Sequence, residues 1–209
     1  KLSNHIGVDS IGWRYDPIFI NEKFNVEEHI KDFKKMAQSL NGYTHNCTIS
    51  FLDLYEKVKR NAPDLKPPTT QEQIEIAKAF SKIGKENNMT IHACCEKNFL
   101  EEYGLKCNGC MSQEIIEKSI KCKLNQSKRK NLRQQCNCLM GNDIGSYNTC
   151  GHLCKYCYAN ANKALVIENI KKHNENSPFL IGNNEAGDKV TEAKQKSWII
   201  CENEQISFI

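Results

Sequence analysis

Three cysteines in the later part of the chain have the spacing of a metal-binding motif. They are Cys150, Cys154 and Cys157, separated by three residues and then by two. Three thiolates at this spacing can each bind one iron of a cubane iron–sulfur cluster, which leaves the fourth iron without a protein ligand. The motif therefore predicts a 4Fe-4S cluster with one open, reactive iron. A zinc site completed by His152 or by another cysteine is the alternative.

The remaining cysteines allow a second metal site. The chain has 12 cysteines in 209 residues, and most of them lie within four residues of another cysteine. This spacing favours metal binding, because neighbouring thiolates can converge on one ion whereas disulfides usually join distant segments. We expect four thiolates to hold a second iron–sulfur cluster or a structural zinc, namely Cys94, Cys110, Cys136 and Cys138. Cys95 and Cys107 are alternative members, and unligated buried thiols are the alternative for the whole set.

Two charged residues of the first predicted strand are candidate catalytic groups. Arg14 and Asp16 lie toward the C-terminal end of that strand, where reactive groups gather in barrels of alternating strands and helices. We predict that they hold the carboxylate or ribose of a cofactor, or the substrate. An ion pair between the two side chains is the alternative. For His92, near the end of a later strand, a buried core histidine is favoured over the same ligand-binding role.

The elements that would position these residues alternate between strands and helices. Strands are predicted over 10–16, 44–53 and 89–94, where large apolar residues alternate with small or polar ones. Capping residues and apolar spacing predict helices over 25–40, 69–84, 112–120, 160–174 and 188–196. The order strand, helix, strand, helix, strand is typical of parallel α/β architecture. We therefore predict a partial (β/α) TIM-like barrel with a Cys-rich C-terminal cluster-binding segment.

The predicted domain boundaries follow from these elements. We place the partial barrel domain at 1–174, including the Cys-rich segment 94–160, and a C-terminal tail at 175–209. A complete barrel of this kind needs about 250 residues, and only three strand–helix units are clear here. The chain also has no initiator methionine. We therefore expect a fragment that lacks its N-terminal strands.

Composition and charge exclude several classes of protein. With 39% hydrophobic and 26% charged residues the chain is expected to fold, and no apolar stretch approaches the roughly 20 residues of a membrane span. The net charge of +4 is too small to require nucleic acid or a membrane surface as partner. The basic cluster of Lys128–Lys130 and Arg133 is predicted to be a solvated loop. No signal peptide begins the chain, which predicts the cytoplasm, where thiolate ligands stay reduced.

A longer run of residues around the cysteine motif resembles a known family. The run comprises Cys136-Asn-Cys138, Asp143 to Cys150 and Cys154 to Asn160, accompanied by Trp13 to Pro17 and Gly42 to Thr44. Together these residues resemble the domain-of-unknown-function 1848 family over most of the chain. The cysteine motif, with Tyr156 directly before its last cysteine, is also similar to that of the radical S-adenosylmethionine superfamily.

The resemblance implies a barrel and a 4Fe-4S cluster whose open iron binds the amino and carboxylate groups of S-adenosylmethionine. In such enzymes an electron cleaves the sulfonium to methionine and a 5′-deoxyadenosyl radical, which abstracts hydrogen from a substrate. We expect Tyr147, Asn148 and Tyr156 to line the cofactor site, and a reductase or ferredoxin to supply the electron. The substrate is not indicated. The alternatives are a non-catalytic zinc or iron–sulfur protein, for structure or electron transfer, and a nucleic-acid modification enzyme similar to spore photoproduct lyase.

Overall fold

Two compact units make up the computed structural model, which describes residues 1–125, 136–139, 145–192 and 197–200. The first unit takes the described residues of Lys1–Asp53, Lys66–Met140 and Ser197–Ile209. The second takes those of Leu54–Leu65 and Gly141–Lys196. Residues 54–65 thus belong to the second unit, although in sequence they lie between two segments of the first.

A three-stranded parallel sheet forms the centre of the first unit. Its strands are β1 (Gly12–Ile18), β2 (Asn46–Phe51) and β3 (Thr90–Ala93), with β2 in the middle. Arg14, Thr48 and His92 lie in one row across the three strands. Since successive side chains of a strand point to opposite faces, these residues share a polar face.

Helices α2 (Val26–Leu40) and α4 (Thr70–Glu86) pack on the apolar face of the sheet. Phe33 of α2 and Phe80 of α4 are fully buried, and their rings stack with centroids 3.6 Å apart. Each helix begins at a cap. The Asn25 side chain accepts a hydrogen bond from the first turn of α2, and Thr69 forms a reciprocal capping box with Glu72 in α4. The apolar core therefore lies on one face of the sheet and leaves the other face for polar groups.

The remaining elements are shorter. Helix α5 (Gln113–Ile120) begins after Ser112, whose hydroxyl accepts a hydrogen bond from a first-turn amide at 3.3 Å. Strand β4 (Lys123–Leu124) pairs antiparallel with β5 (Ile199–Ile200). The others are α1 (Leu2–Ile6), α3 (Glu56–Asn61), α6 (Lys163–Lys172) and the 3-10 helices Val8–Ser10 and Asn98–Tyr103.

The predicted α/β class with a parallel sheet is confirmed, but the three strands of the described sheet do not close into a barrel. Strand β1 continues through Pro17 to Ile18, beyond its predicted end, because an edge strand tolerates a residue without an amide donor. Residues 188–192 are not helical as predicted, and 193–196 lie outside the described residues. None of the helices described is long and apolar enough to cross a membrane.

Candidate metal centre

Three thiols from separate segments of the first unit converge in one group. Cys94 directly follows β3, Cys110 lies in the loop before α5, and Cys138 lies in the described segment 136–139. The Cys110 sulfur is 3.6 Å from that of Cys94 and 3.5 Å from that of Cys138. All three sulfur atoms lie within 4.8 Å of one another. This three-thiol group could bind a metal ion or an iron–sulfur cluster.

The loop that carries Cys110 packs directly against the segment that carries Cys138. The backbone amide of Leu139 donates to the Met111 carbonyl at 2.6 Å, and the Asn137 side chain donates to the Cys107 carbonyl at 2.9 Å. Gly109 has a φ of +88°, and a Cβ atom there would lie 2.8 Å from the backbone nitrogen of Cys138. Glycine therefore allows both the left-handed backbone and the close approach of the two segments.

Arg14 places a positive charge beside the three-thiol group. Its guanidinium lowers the pKa of the Cys110 thiol and pairs with Asp16, with Nη2 2.7 Å from Oδ2. The Ser50 hydroxyl donates to the same Asp16 oxygen at 3.3 Å. The two predicted catalytic residues thus form the ion pair that was the alternative to a ligand-binding role. Through that pair they also connect the sheet to the thiols.

The three thiols of the group differ in pKa. Hydrogen bonds from the Cys138 and Cys94 thiols, followed by the Arg14 guanidinium, lower the pKa of Cys110 far below its ordinary value. The pKa of Cys94 rises to about 12, mainly because its thiol donates a hydrogen bond to Cys110. The pKa of Cys138 is raised for the same reason. Cys110 is therefore the most acidic of the three thiols.

Two other cysteines named for this site lie outside the three-thiol group. Cys136 is buried, but its sulfur is not among those within 4.8 Å of one another. The Cys107 thiol instead donates to the Lys97 carbonyl at 3.7 Å, and burial raises its pKa to about 11. The structure therefore brings together three of the four thiols that the sequence placed in a second site.

His92 is a buried residue of the polar face, as the sequence indicated. Its ring nitrogens lie 2.9 Å from the Asn108 side-chain oxygen and 3.1 Å from that of Asn46. Burial lowers the pKa of His92, which favours the neutral ring. The ring lies between these two side chains, so His92 connects the 105–111 loop to the sheet.

The cysteine motif lies in a loop of the second unit. Cys150 and Cys154 are exposed and Cys157 is partly exposed, and the Cys157 amide donates to the Cys154 carbonyl at 3.1 Å. Within the described residues their sulfurs do not form a group as close as the three-thiol group. All three are free thiols, which is the donor set that an iron–sulfur cluster requires.

Asn148 holds the two ends of the motif loop together. Its side-chain oxygen accepts from the amides of Ala161 at 2.7 Å and Asn162 at 3.2 Å. Of the other residues predicted to line a cofactor site, Tyr147 is 65% exposed and Tyr156 packs near another tyrosine ring. The side chain of Asn148 is thus engaged in closing the loop, a role that the sequence did not indicate.

Two residues that shape the candidate metal centre, Gly109 and Ser50, were not predicted from the sequence. Gly109 precedes Cys110 directly, and a glycine inside a Cys-x-x-Cys spacing was an available signal for a tight turn. Ser50 gave no comparable signal, because its contact with Asp16 depends on the pairing of β1 with β2. The basic cluster of Lys128–Lys130 and Arg133 lies outside the described residues.

Comparison with known proteins gives one match. The model of a family described as a domain of unknown function, DUF1848, matches residues 1–159. That range contains the three-thiol group and the complete cysteine motif. No curated protein and no solved structure matches the chain.

Proposed function

The chain belongs to the DUF1848 family, and from this premise we propose that it is a metal-binding protein whose three-thiol group holds a metal centre. The observation that carries the proposal is the convergence of the three sulfurs. Cys94 and Cys138 lie 16 and 28 residues from Cys110 in the chain, yet their sulfurs are 3.6 and 3.5 Å from its own. Nearby free thiols from separate segments are the arrangement that thiolate-bound metals need.

The residues around the group support metal binding in distinct ways. Binding requires all three thiols to lose their protons, and Arg14 beside Cys110 offsets part of the resulting negative charge. Gly109 lets the loop and the 136–139 segment approach each other. A bound metal would fasten these two segments, and an iron centre would add electron transfer.

The test is an anaerobic count of zinc, iron and sulfide in the purified chain. The Cys110→Ala variant removes the central thiol, and Cys122→Ser, at an exposed cysteine, is the matched control. We expect the wild type and Cys122→Ser to hold equal amounts of metal and Cys110→Ala to hold less. Equal metal content in all three proteins would contradict the proposal.

A second function, radical cleavage of S-adenosylmethionine, is favoured by the cysteine motif. Its thiols are accessible, and the same unit has a cavity lined by Tyr55, Lys57, Arg60 and Tyr158, among others. Aromatic rings and cations suit the nucleobase and carboxylate of such a cofactor. A 4Fe-4S cluster bound at the motif would supply the electron that cleaves the sulfonium. In this proposal the three parallel strands are part of a (β/α) barrel.

Electron paramagnetic resonance distinguishes this second function from metal binding alone. Adding S-adenosylmethionine to the reduced protein is expected to change the spectrum of the cluster, because the cofactor would bind the open iron. The Cys154→Ala variant should show neither the cluster signal nor the change. An unchanged wild-type spectrum would contradict the radical function and leave the metal centre of the three-thiol group unaffected.

A further inference from the structure

The distances between the three sulfurs distinguish a single metal ion from a polynuclear cluster. We infer that Cys94, Cys110 and Cys138 supply three of the four ligands of a mononuclear site for one tetrahedral ion of the zinc class, with Arg14 as its charge-balancing partner. The inference rests on the proposed metal binding and names the kind of metal centre.

The sulfur spacing suits one ion. A zinc–sulfur bond of about 2.3 Å at the tetrahedral angle places neighbouring sulfurs about 3.8 Å apart. The observed separations are 3.6 and 3.5 Å, and the third is within 4.8 Å. In a cubane cluster each cysteine binds a different iron and extends outward from it, so the ligand sulfurs lie much farther apart. A cluster would therefore require the three-thiol group to open.

Backbone contacts hold each thiol in its present place. The Cys94 amide donates to the Ile49 carbonyl at 2.9 Å, which fixes the first thiol to β2. The hydrogen bond from Leu139 to Met111 holds the other two segments together. At Gly109 the segments are so close that a Cβ atom would lie 2.9 Å from the Cys138 sulfur. Widening the group to the size of a cluster would break these contacts.

The charge balance also suits a divalent ion. Three thiolates and one divalent cation leave a net charge of −1, and the Arg14 guanidinium at Cys110 supplies one positive charge. Asp16 holds that guanidinium through the 2.7 Å ion pair. Arg14 is thus a positioning residue, which acts on the metal through the sulfur of Cys110. Partners of this kind typically change metal affinity by about 10- to 100-fold.

The first experiment is a count of zinc, iron and sulfide in the wild-type chain and in two variants, each of which changes one cysteine of the Cys107-x-x-Cys110 spacing. Cys110→Ala should lose zinc without loss of iron or sulfide. Cys107→Ala, at the other end of the same Cys-x-x-Cys spacing, should keep the zinc because its thiol contacts the Lys97 carbonyl instead. Loss of iron and sulfide in Cys110→Ala would overturn the single-ion inference and still support metal binding. Unchanged metal content would overturn the proposed function itself.

Cobalt(II) provides a test in which all three thiols of the group are kept. Metal-free protein loaded with cobalt should show thiolate-to-metal charge-transfer bands and the visible bands of a tetrahedral ion. These bands should persist in Cys154→Ala, because that variant leaves the three-thiol group intact. Octahedral bands, or bands that disappear in Cys154→Ala, would overturn the inference.

Chelator competition for zinc tests the part of the inference that concerns Arg14. Arg14→Gln removes the positive charge and should weaken zinc binding about tenfold, whereas Arg14→Lys should retain part of the affinity. The cobalt bands of Arg14→Gln should keep their energies, because the metal ligands are unchanged. Equal zinc affinity in wild type and Arg14→Gln would overturn the role given to Arg14.

Discussion

Gly109 is the residue whose backbone most directly sets the closeness of the three-thiol group. Its φ of +88° belongs to the left-handed region, and an added Cβ would lie 2.8 Å from the Cys138 nitrogen. Gly7 has nearly the same φ, +89°, but a Cβ atom added there would have no neighbour within 4 Å. A side chain at Gly7 would therefore strain only the backbone, whereas a side chain at Gly109 would also collide with Cys138.

Gly109→Ala is expected to weaken zinc binding at least tenfold, whereas Gly7→Ala should leave it unchanged. Both variants place a side chain at a positive φ, which costs stability in each, but only alanine at position 109 forces the Cys110 loop away from Cys138. Chelator competition measures the affinity, and denaturant unfolding measures the strain. Equal zinc affinity in the two variants would show that the close approach at Gly109 does not control the site.

Among the helices and strands, the features that could be predicted from the sequence depend on residues close together in the chain. Asn25 and Thr69 are capping residues whose partners lie three positions away, so the starts of α2 and α4 could be predicted. Closure of a barrel depends on strands far apart in sequence, and the three described strands provide none of that closure. Cys138 joins the three-thiol group and Cys136 does not, and the hydrogen bond from Asn137 to the Cys107 carbonyl that accompanies this arrangement spans 30 residues, which no local pattern encodes.

The packing of α2 against α4 predicts that Phe80→Ala strongly destabilises the first unit. Phe80 is fully buried and stacks on Phe33, so truncation leaves a cavity that costs about 3–5 kcal/mol of unfolding free energy. Phe179, which is 42% exposed, supplies the control variant Phe179→Ala, with an expected cost below about 1 kcal/mol. Denaturant unfolding measures both, and a comparable cost for the two would contradict the proposed importance of the stacked pair.

The connection between α5 and β4 predicts an acid-sensitive contribution to stability. Hydrogen bonds from Gln113, from the Leu124 amide and from Lys123 lower the pKa of Glu117 from 4.5 to about 2. A carboxyl group with a lowered pKa stabilises the fold above its unfolded pKa, and this contribution is lost as the pH falls from 4.5 toward 2.

The variant Glu117→Gln should therefore lose less unfolding free energy than the wild type over that pH range. Both proteins are compared metal-free by urea unfolding, so that loss of metal does not contribute. Glu75→Gln, at an exposed position of α4, controls for the removal of one negative charge. The same acid dependence in wild type and Glu117→Gln would contradict the assignment.

At the scale of the molecule, the apolar core and the three-thiol group rest on different interactions. The core cluster around the sheet contains Cys47 and Cys107 but none of the three thiols of the group, although Cys138 is itself buried. Its stability comes from apolar burial across the sheet and its two long helices. The 136–139 segment instead contacts the rest of the first unit through interactions such as the hydrogen bond from Leu139 to Met111.

Removal of the metal is therefore expected to loosen the site without unfolding the core. After treatment with a chelator, amide hydrogen exchange should accelerate at Leu139 and through residues 107–111, because the metal no longer ties the two segments together. The amides of β2 (Asn46–Phe51) should keep their protection, since the apolar core holds them without the metal. Hydrogen exchange with mass spectrometry, before and after chelation, measures both regions in one sample. If β2 lost its protection as well, the metal would be required for the fold of the whole unit, as it is in small zinc-dependent domains.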